Sequence, residues 1–168
     1  MKIPVFVSCP SKLNSEQEAS RQTVVDLLEE YGLEPRALGR SDYPTESPLR
    51  EVAVIAKHCS GGVILGFEQF RTTEGVWKRG TKEEEEITDQ AKFPTPWNHL
   101  EAGILFGLKL PLLVFREEGI SGGIFDSGTT DVYVHETPPG DLSGSQKDQL
   151  KEVIFKWRGR VSEHYYQF

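Results

Sequence analysis

The sequence has few of the features that mark a secreted, membrane-spanning or metal-stabilised protein. Two cysteines among 168 residues are too few for a disulfide framework or a structural zinc site. It contains no apolar run of about 18 residues, the length that a transmembrane helix requires. Residues 1–13 begin like a strand and lack the long apolar core of a signal peptide. We therefore expect a cytoplasmic protein that does not enter a membrane.

Positive charge is also scarce. The chain carries 19 Lys and Arg against 26 Asp and Glu, which gives a net charge of −7. Proteins that bind duplex nucleic acid usually present a basic face, so this role is disfavoured. His58, His135 and His164 are scattered and do not have the spacing of metal ligands. We expect neither duplex nucleic acid nor a metal ion as a partner.

What the sequence does contain is an alternation of strand and helix patterns. Short apolar runs predict strands at 3–8, 33–38, 63–67, 112–115 and 131–135. Helical spacing predicts helices that begin at Ser15, Pro48 and Thr95–Pro96, and a last helix around 150–161. Ser15 and Glu18 have the spacing of a capping box. The alternation predicts a single α/β domain over 1–168, with an open parallel sheet of about five strands and helices on both faces.

Residues 68–95 interrupt this alternation. The segment is polar, contains Gly75 and Gly80, and carries four consecutive glutamates at 83–86. Long connections of this kind form lids or binding loops, or remain disordered. A run of like charges is most often a solvated face.

The predicted sheet places candidate site residues at one edge. In open parallel sheets, ligands bind beyond the carboxyl ends of the strands, near the point where the strand order reverses. This rule selects the loops at 8–11, 39–43, 66–70 and 116–123. The helix that begins at Trp97 should point its N-terminus at the same edge.

Glu101 is the most informative residue of that helix. It lies four residues after Trp97 and three before Ile104, so it shares the apolar stripe that we expect to face the core. A carboxylate there is unfavourable unless it is paired or hydrogen-bonded, and a desolvated acid beside a cleft is a candidate catalytic group. The alternative is a structural glutamate bonded to a buried Arg, His or backbone group. Gly103 and Gly107 predict a close approach of this helix to the sheet.

Residues 97–101, WNHLE, have the form W-x-x-x-E and precede an apolar helix and strand that end at Phe115. This segment resembles the third helix and following strand of Toll/interleukin-receptor (TIR) domains, in the branch that cleaves NAD. Residues 5–8, 39–47 and 58–65 resemble the opening strand, the mobile loop and the approach to the central strand of that family. The resemblance implies a flavodoxin-like sheet with Glu101 as the catalytic carboxylate.

The same segment is also similar to nucleoside 2′-deoxyribosyltransferases, in which a glutamate on the equivalent helix is the nucleophile. Trp97 favours the TIR resemblance. Two departures from the TIR pattern are the long acidic segment 68–95 and the absence of a glycine after the proline in the loop 39–47.

The TIR resemblance implies a hydrolase that breaks the N-glycosidic bond of NAD. Nicotinamide would leave, and ADP-ribose or a cyclic or conjugated derivative would remain. NAD is then the substrate and no cofactor is implied. The resemblance also implies self-association, a separate sensor or effector protein, and a role as a defence effector or signal producer. The alternatives are a deoxyribosyltransferase-like nucleoside glycosidase and a non-catalytic module that binds a nucleotide or a protein.

Cleavage of an N-glycosidic bond develops positive charge on the ribose, which a carboxylate such as Glu101 can stabilise or attack. Arg40 would hold a phosphate, Tyr43 would close over the base and Trp97 would stack on the substrate. Arg40 in a surface ion pair and Trp97 in the core are the alternatives. The full set of expected substrate-binding residues is Ser8, Cys9, Arg40, Tyr43, Phe67, Glu68 and Trp97.

Overall fold

The computed structural model describes residues 1–38 and 47–167. The helices in this part of the chain are α1 (Ser15–Glu30), α2 (Pro48–Lys57), α3 (Pro96–Gly107) and α4 (Gly144–Tyr166). Its strands are β1 (Ile3–Ser8), β2 (Leu33–Arg36), β3 (Gly62–Gly66), β4 (Phe70–Thr72), β5 (Val76–Trp77), β6 (Glu85–Glu86), β7 (Ala91–Phe93), β8 (Leu112–Arg116) and β9 (Val134–Glu136). None of these helices has the length and apolarity needed to cross a bilayer.

The central sheet confirms the predicted fold class. Within the described residues it has five parallel strands in the order β2-β1-β3-β8-β9, which is the flavodoxin-like order. Ser8 at the end of β1 pairs with Ile64 of β3, and Ile64 pairs with Val114 of β8. The strand order reverses between β1 and β3, so a ligand cleft is expected at their carboxyl ends.

Helices cover both faces of the sheet, as predicted. Val63 and Leu65 of β3 belong to the apolar cluster that α1 and α4 complete on one face. Ile64 belongs to the cluster that α2 and α3 complete on the other face. Successive side chains of a strand point to opposite faces, so β3 supplies apolar residues to both clusters. This explains why the strand is apolar throughout instead of alternating.

Several boundaries differ from the sequence prediction. The N-cap of α1 is Asn14 rather than Ser15: Gln17 N donates to Asn14 Oδ1 (2.8 Å) and Asn14 N donates to Gln17 Oε1 (3.1 Å). Asn14 with Gln17 and Ser15 with Glu18 each have the spacing of a capping box. The structure forms the first of these, so the helix is capped one residue earlier than predicted. The last strand begins at Val134 instead of residue 131, and β2 ends at Arg36.

Residues 70–93 form two short antiparallel ribbons, one nested inside the other, and we call this segment the β-arm. β4 pairs with β7 at its base, and β5 pairs with β6 farther out. The ring of Phe93 lies 6.1 Å from that of Phe70 and 5.7 Å from that of Trp77. An aromatic cluster therefore joins the two ribbons of a segment whose sequence is mostly polar.

The prediction that Gly103 and Gly107 permit close packing of α3 is wrong. A Cβ atom on either residue would meet nothing within 4 Å, because both lie on the exposed side of the helix. The close approaches involve glycines of the sheet. A Cβ on Gly62 would lie 2.7 Å from Leu105 Cδ1, and a Cβ on Gly66 would overlap the ring of Phe125.

These surroundings predict opposite effects for two alanine substitutions. Gly103→Ala should raise the free energy of unfolding by about 0.5–1 kcal/mol, because alanine loses less backbone entropy in a helix. Gly66→Ala should lower it by about 1–3 kcal/mol through overpacking against Phe125. Chemical denaturation of the two variants measures both changes. If both substitutions changed the free energy of unfolding in the same direction, the exposed position of Gly103 or the close packing of Gly66 against Phe125 would be contradicted.

Candidate functional site

A cleft of about 360 Å³ opens at the carboxyl ends of β1 and β3. Its described lining comes from the segments that follow β1, β2 and β3 and from the first turns of α2 and α3. The lining residues are Cys9, Pro10, Ser11, Leu38, Pro48, Gln69, Thr95, Trp97 and Glu101. The volume lies in the range of small-molecule sites. The cleft therefore occupies the position where this fold class binds its ligands.

The first turn of α3 is built as the sequence predicts. Thr95 is the N-cap, its Oγ1 accepts a hydrogen bond from Trp97 N (3.3 Å), and Pro96 occupies the first turn. The orientation of the helix about its axis differs from the expectation. Trp97 and Leu100 are 39% and 47% exposed, whereas the buried residues of α3 are Asn98, Glu101, Ala102 and Leu105. Glu101 is buried as expected, and the side-chain amide of Asn98 lies on the same buried face of α3.

The carboxyl group of Glu101 is almost fully desolvated. The residue is 9% exposed, and burial raises its pKa to about 7. The hydroxyl of Ser8 opposes this rise by hydrogen-bonding to the carboxylate, which lowers the pKa. No Lys, Arg or His in the described part of the chain pairs with Glu101. A carboxyl group with a pKa near neutrality is suited to act as a general acid or base at that pH.

Asn98 is a site residue that the sequence analysis missed. It is fully buried, and its Nδ2 donates to Ser8 Oγ (2.9 Å), to Leu65 O (3.3 Å) and to Ser8 O (3.4 Å). The amide thus ties the first turn of α3 to the ends of β1 and β3. Its spacing of three residues from Glu101 was a usable sequence signal, because residues so spaced share a helix face.

The structure brings two of the expected substrate-binding residues into the cleft beside Glu101. Trp97 lines it and exposes part of its ring. Cys9 lines it from the end of β1 and also packs against the core. Ser8 is fully buried and lies behind the described cleft lining, where it contacts Asn98 and Glu101.

The other expected residues are not in the described cleft. Phe67 is 1% exposed and lines a separate cavity of about 570 Å³ between α1 and residues 137–141. Glu68 accepts a hydrogen bond from Arg71 (Nη2 to Oε2, 2.8 Å), and this contact holds the pKa of Glu68 below its usual value. Arg40 and Tyr43 lie outside the described residues.

Gln69 is a second residue of the cleft that the sequence analysis did not select. Its backbone N donates to Phe93 O (2.8 Å), and its side-chain Nε2 donates to Lys12 O (3.1 Å). It therefore connects the base of the β-arm to the loop after β1. Its sequence position, in the loop after β3, was the available signal.

Comparison with known proteins assigns no family to the chain. No protein-family model matches it, and no curated protein matches it at a significant level. Among residues 1–38 and 47–167, no group of three His, Cys, Asp or Glu side chains is arranged to hold a metal ion. The functional argument therefore depends on the chemistry of the Glu101 cleft.

The raised pKa of Glu101 predicts a pH-dependent stability difference between the wild type and Glu101→Gln. The native state holds the Glu101 proton up to a pKa of about 7, whereas an unfolded glutamate loses its proton near its ordinary pKa of 4.5. Wild-type stability should therefore fall as pH rises between these values. Glu101→Gln should unfold like the wild type near pH 4 and be about 2–3 kcal/mol more stable near pH 8.

Urea denaturation of both proteins across this pH range measures the difference. A difference that stays constant with pH, or that grows toward acid, would contradict the burial of an unpaired carboxyl group.

Proposed function

We propose that the protein cleaves the N-glycosidic bond between nicotinamide and ribose in NAD, with Glu101 as the catalytic carboxylate. The observation that carries the proposal is the burial of Glu101 at the cleft without a cationic partner among the described residues. Such a group is unfavourable for stability, and ionisable residues with perturbed pKa values cluster at functional sites.

The chemistry needs one carboxylate and one water molecule. The C1′–N bond breaks, its electron pair goes to the pyridinium ring, and nicotinamide leaves as a neutral molecule. Positive charge develops on the ribose, and ionised Glu101 stabilises that charge or attacks C1′. Water then adds at C1′; where Glu101 has attacked, the C1′–O bond to its carboxylate breaks as water adds. The free carboxylate of Glu101 accepts the proton that the water gives up. A neutral leaving group needs no separate general acid, so a single carboxylate is sufficient.

The cleft offers suitable contacts for a nucleotide. The exposed part of the Trp97 ring can stack on an aromatic base, and the hydroxyl groups of Ser11 and Thr95 can bind ribose oxygens. Desolvation also strengthens the attraction between ionised Glu101 and the cationic nicotinamide ring.

A nucleoside glycosidase of the deoxyribosyltransferase type is the second candidate. The described lining of the cleft contains neither Lys nor Arg. A neutral nucleoside needs no such cation, whereas the pyrophosphate of NAD does, and Arg40 is the residue proposed to supply it. The third candidate, a non-catalytic binding module, is disfavoured because a purely structural Glu101 would be expected to have a charged partner, and none comes from residues 1–38 or 47–167.

Self-association and a separate sensor or effector protein belong to this proposal as well, as does a role in defence signalling. Two exposed apolar side chains of α3 support association, because Leu100 and Phe106 are 47% and 53% exposed. Exposed apolar surface is a common feature of protein interfaces. The activity of a concentrated or crowded sample should therefore exceed that of a dilute one.

The direct test is nicotinamide release from NAD by concentrated wild-type protein. Glu101→Gln should lower the rate at least about 100-fold, because it removes the ionisable group and keeps the shape. Glu163→Gln is the matched control, since it neutralises an exposed carboxylate on α4, outside the selected loops, and should leave the rate unchanged. A panel of nucleosides and deoxynucleotides tests the second candidate. Glu101→Gln with the wild-type rate on every substrate would exclude a catalytic Glu101.

The pH profile provides an independent test. Ionised Glu101 is the active form in the proposed mechanism, so turnover should rise with pH and level off above about 7. Below that value it should fall by about tenfold per pH unit. Turnover that decreases as pH rises through this range would instead assign Glu101 as a general acid.

A further inference from the structure

A cavity of about 570 Å³ lies between α1 and residues 137–141, and we call it the α1 cavity. It opens at the carboxyl ends of β3, β8 and β9, because Phe67, Glu117 and Thr137 line it and each follows one of these strands. Phe67 belongs to the apolar cluster that α1 and α4 complete, so the cavity lies on the sheet face opposite α3. Its described lining shares no residue with that of the Glu101 cleft.

The wall of the α1 cavity formed by residues 137–141 is held at both of its ends. Thr137 N donates to Arg116 O (3.0 Å), which continues the pairing of β9 with β8. Gly140 lies so close to α1 that a Cβ atom on it would be 2.5 Å from the Cβ of Ala19. The folded chain therefore forms the cavity in advance, as it does most small-molecule sites.

The carboxylate of Glu117 is fixed in place on the opposite side of this cavity from residues 137–141 by two donors to one of its oxygens. Gln17 Nε2 donates to Glu117 Oε1 (3.0 Å), and Glu68 N donates to the same oxygen (2.8 Å). Among the described residues, Glu117 Oε2 receives only a long contact from Gln17 Nε2 (3.5 Å), so it can accept a further hydrogen bond. The guanidinium of Arg71 bonds to Glu68 and does not line the cavity. Glu117 can therefore offer its second oxygen to a ligand.

The hydroxyl of Ser20 is a buried polar group that lacks a partner. Ser20 lines the cavity and is 6% exposed, and its Oγ has no hydrogen-bond partner in residues 1–38 and 47–167. Buried polar groups in folded proteins are nearly always hydrogen-bonded, so such a hydroxyl calls for a bound molecule. Ser20 lies one turn from Gln17 on the same face of α1, and Gln17 contacts Glu117. One ligand can therefore reach both Ser20 and Glu117.

The charge of the lining decides the class of ligand. Glu16 and Asp141 add two exposed carboxylates to that of Glu117, and the described lining contains no Lys, Arg or His. The first turn of α1 does not reverse this balance, because Asn14 already accepts from Gln17 N and Glu16 offsets the helix dipole. A cation that carries hydrogen-bond donors complements such a lining, whereas an anion would be repelled.

We propose that the α1 cavity is a second binding site, which takes a small organic amine in its charged ammonium form. The ammonium group donates to Glu117 Oε2 and to Ser20 Oγ, and the apolar part of the ligand packs against Phe67 and Pro138. An ammonium group has three N–H donors, so it can satisfy more than one acceptor. The site goes beyond the proposed cleavage of NAD, and its tests use no nucleotide, so the two proposals can fail separately.

The first experiment titrates the protein with three probes of similar shape and follows the backbone amide signals by NMR. At neutral pH phenethylamine is a cation, 2-phenylethanol is neutral and phenylacetate is an anion. Phenethylamine should cause a saturable shift of the Glu68 amide signal, because Glu68 N donates to the carboxylate that the amine contacts. The neutral probe should bind at least about fivefold more weakly, and the anion more weakly still. Equal or tighter binding of either of these probes, or no saturable shift with phenethylamine, would overturn the proposal.

Four variants identify the groups that hold the amine. Glu117→Gln should weaken phenethylamine binding about tenfold, and Ser20→Ala about threefold, because each removes one acceptor. Glu163→Gln is the matched control, since it neutralises an exposed carboxylate on α4, and it should bind the amine as the wild type does. Glu101→Gln should also leave the affinity unchanged. A loss of affinity in Glu101→Gln with none in Glu117→Gln would place the amine in the Glu101 cleft and overturn the proposal.

Thermal unfolding of Ser20→Ala separates a binding role of this hydroxyl from a structural one. Because Ser20 Oγ has no partner in the described structure, its removal should leave the unfolding temperature of the ligand-free protein unchanged or higher. Phenethylamine should raise the unfolding temperature of the wild type more than that of Ser20→Ala. A variant that unfolds at a lower temperature without ligand, and that binds the amine like the wild type, would show a purely structural hydroxyl and overturn the proposed site.

Discussion

The structure around the cleft depends on one unfavourable element, a carboxyl group buried without an opposite charge from any residue that the structure describes. Glu101 lies beyond the first turn of α3, where the helix dipole is weak, so the helix itself offers little compensation. Ser8 supplies a hydrogen bond, and Asn98 anchors both Ser8 and the helix. The strand-order reversal between β1 and β3 brings these three residues together.

Most of the fold could be predicted from the sequence, because strands buried on both faces are apolar throughout and helices repeat with a different period. The β-arm could not be predicted in this way. Its outer strands include Glu85–Glu86, which have no apolar pattern of their own. They are strands because they pair with Val76–Trp77, and the ring of Trp77 packs near that of Phe93 in the other ribbon. Such non-local pairing leaves little trace in a local sequence window.

The site was partly predictable. Burial of Glu101 followed from its spacing, but the same spacing placed Trp97 on the core-facing stripe, whereas the structure buries Asn98 and exposes part of Trp97. Burial of an amide depends on carbonyl acceptors from β1 and β3, which lie far away in sequence. The burial of Phe67 on the opposite face of the sheet could have been predicted from the alternation of side chains along a strand. Phe67 has the same parity as Val63 and Leu65, so it belongs to the face that α1 and α4 cover, opposite α3.

The relation between stability and function at Glu101 follows from these contacts. A protein selected for stability alone would place an apolar residue or a glutamine on the buried face of α3, because either avoids desolvating a charge. The chain instead keeps an ionisable group there and surrounds it with two fully buried polar residues, Ser8 and Asn98. Three polar side chains at one point of an otherwise apolar face conflict with the local pattern. Such conflicts are expected where a structure gives up stability for a chemical task.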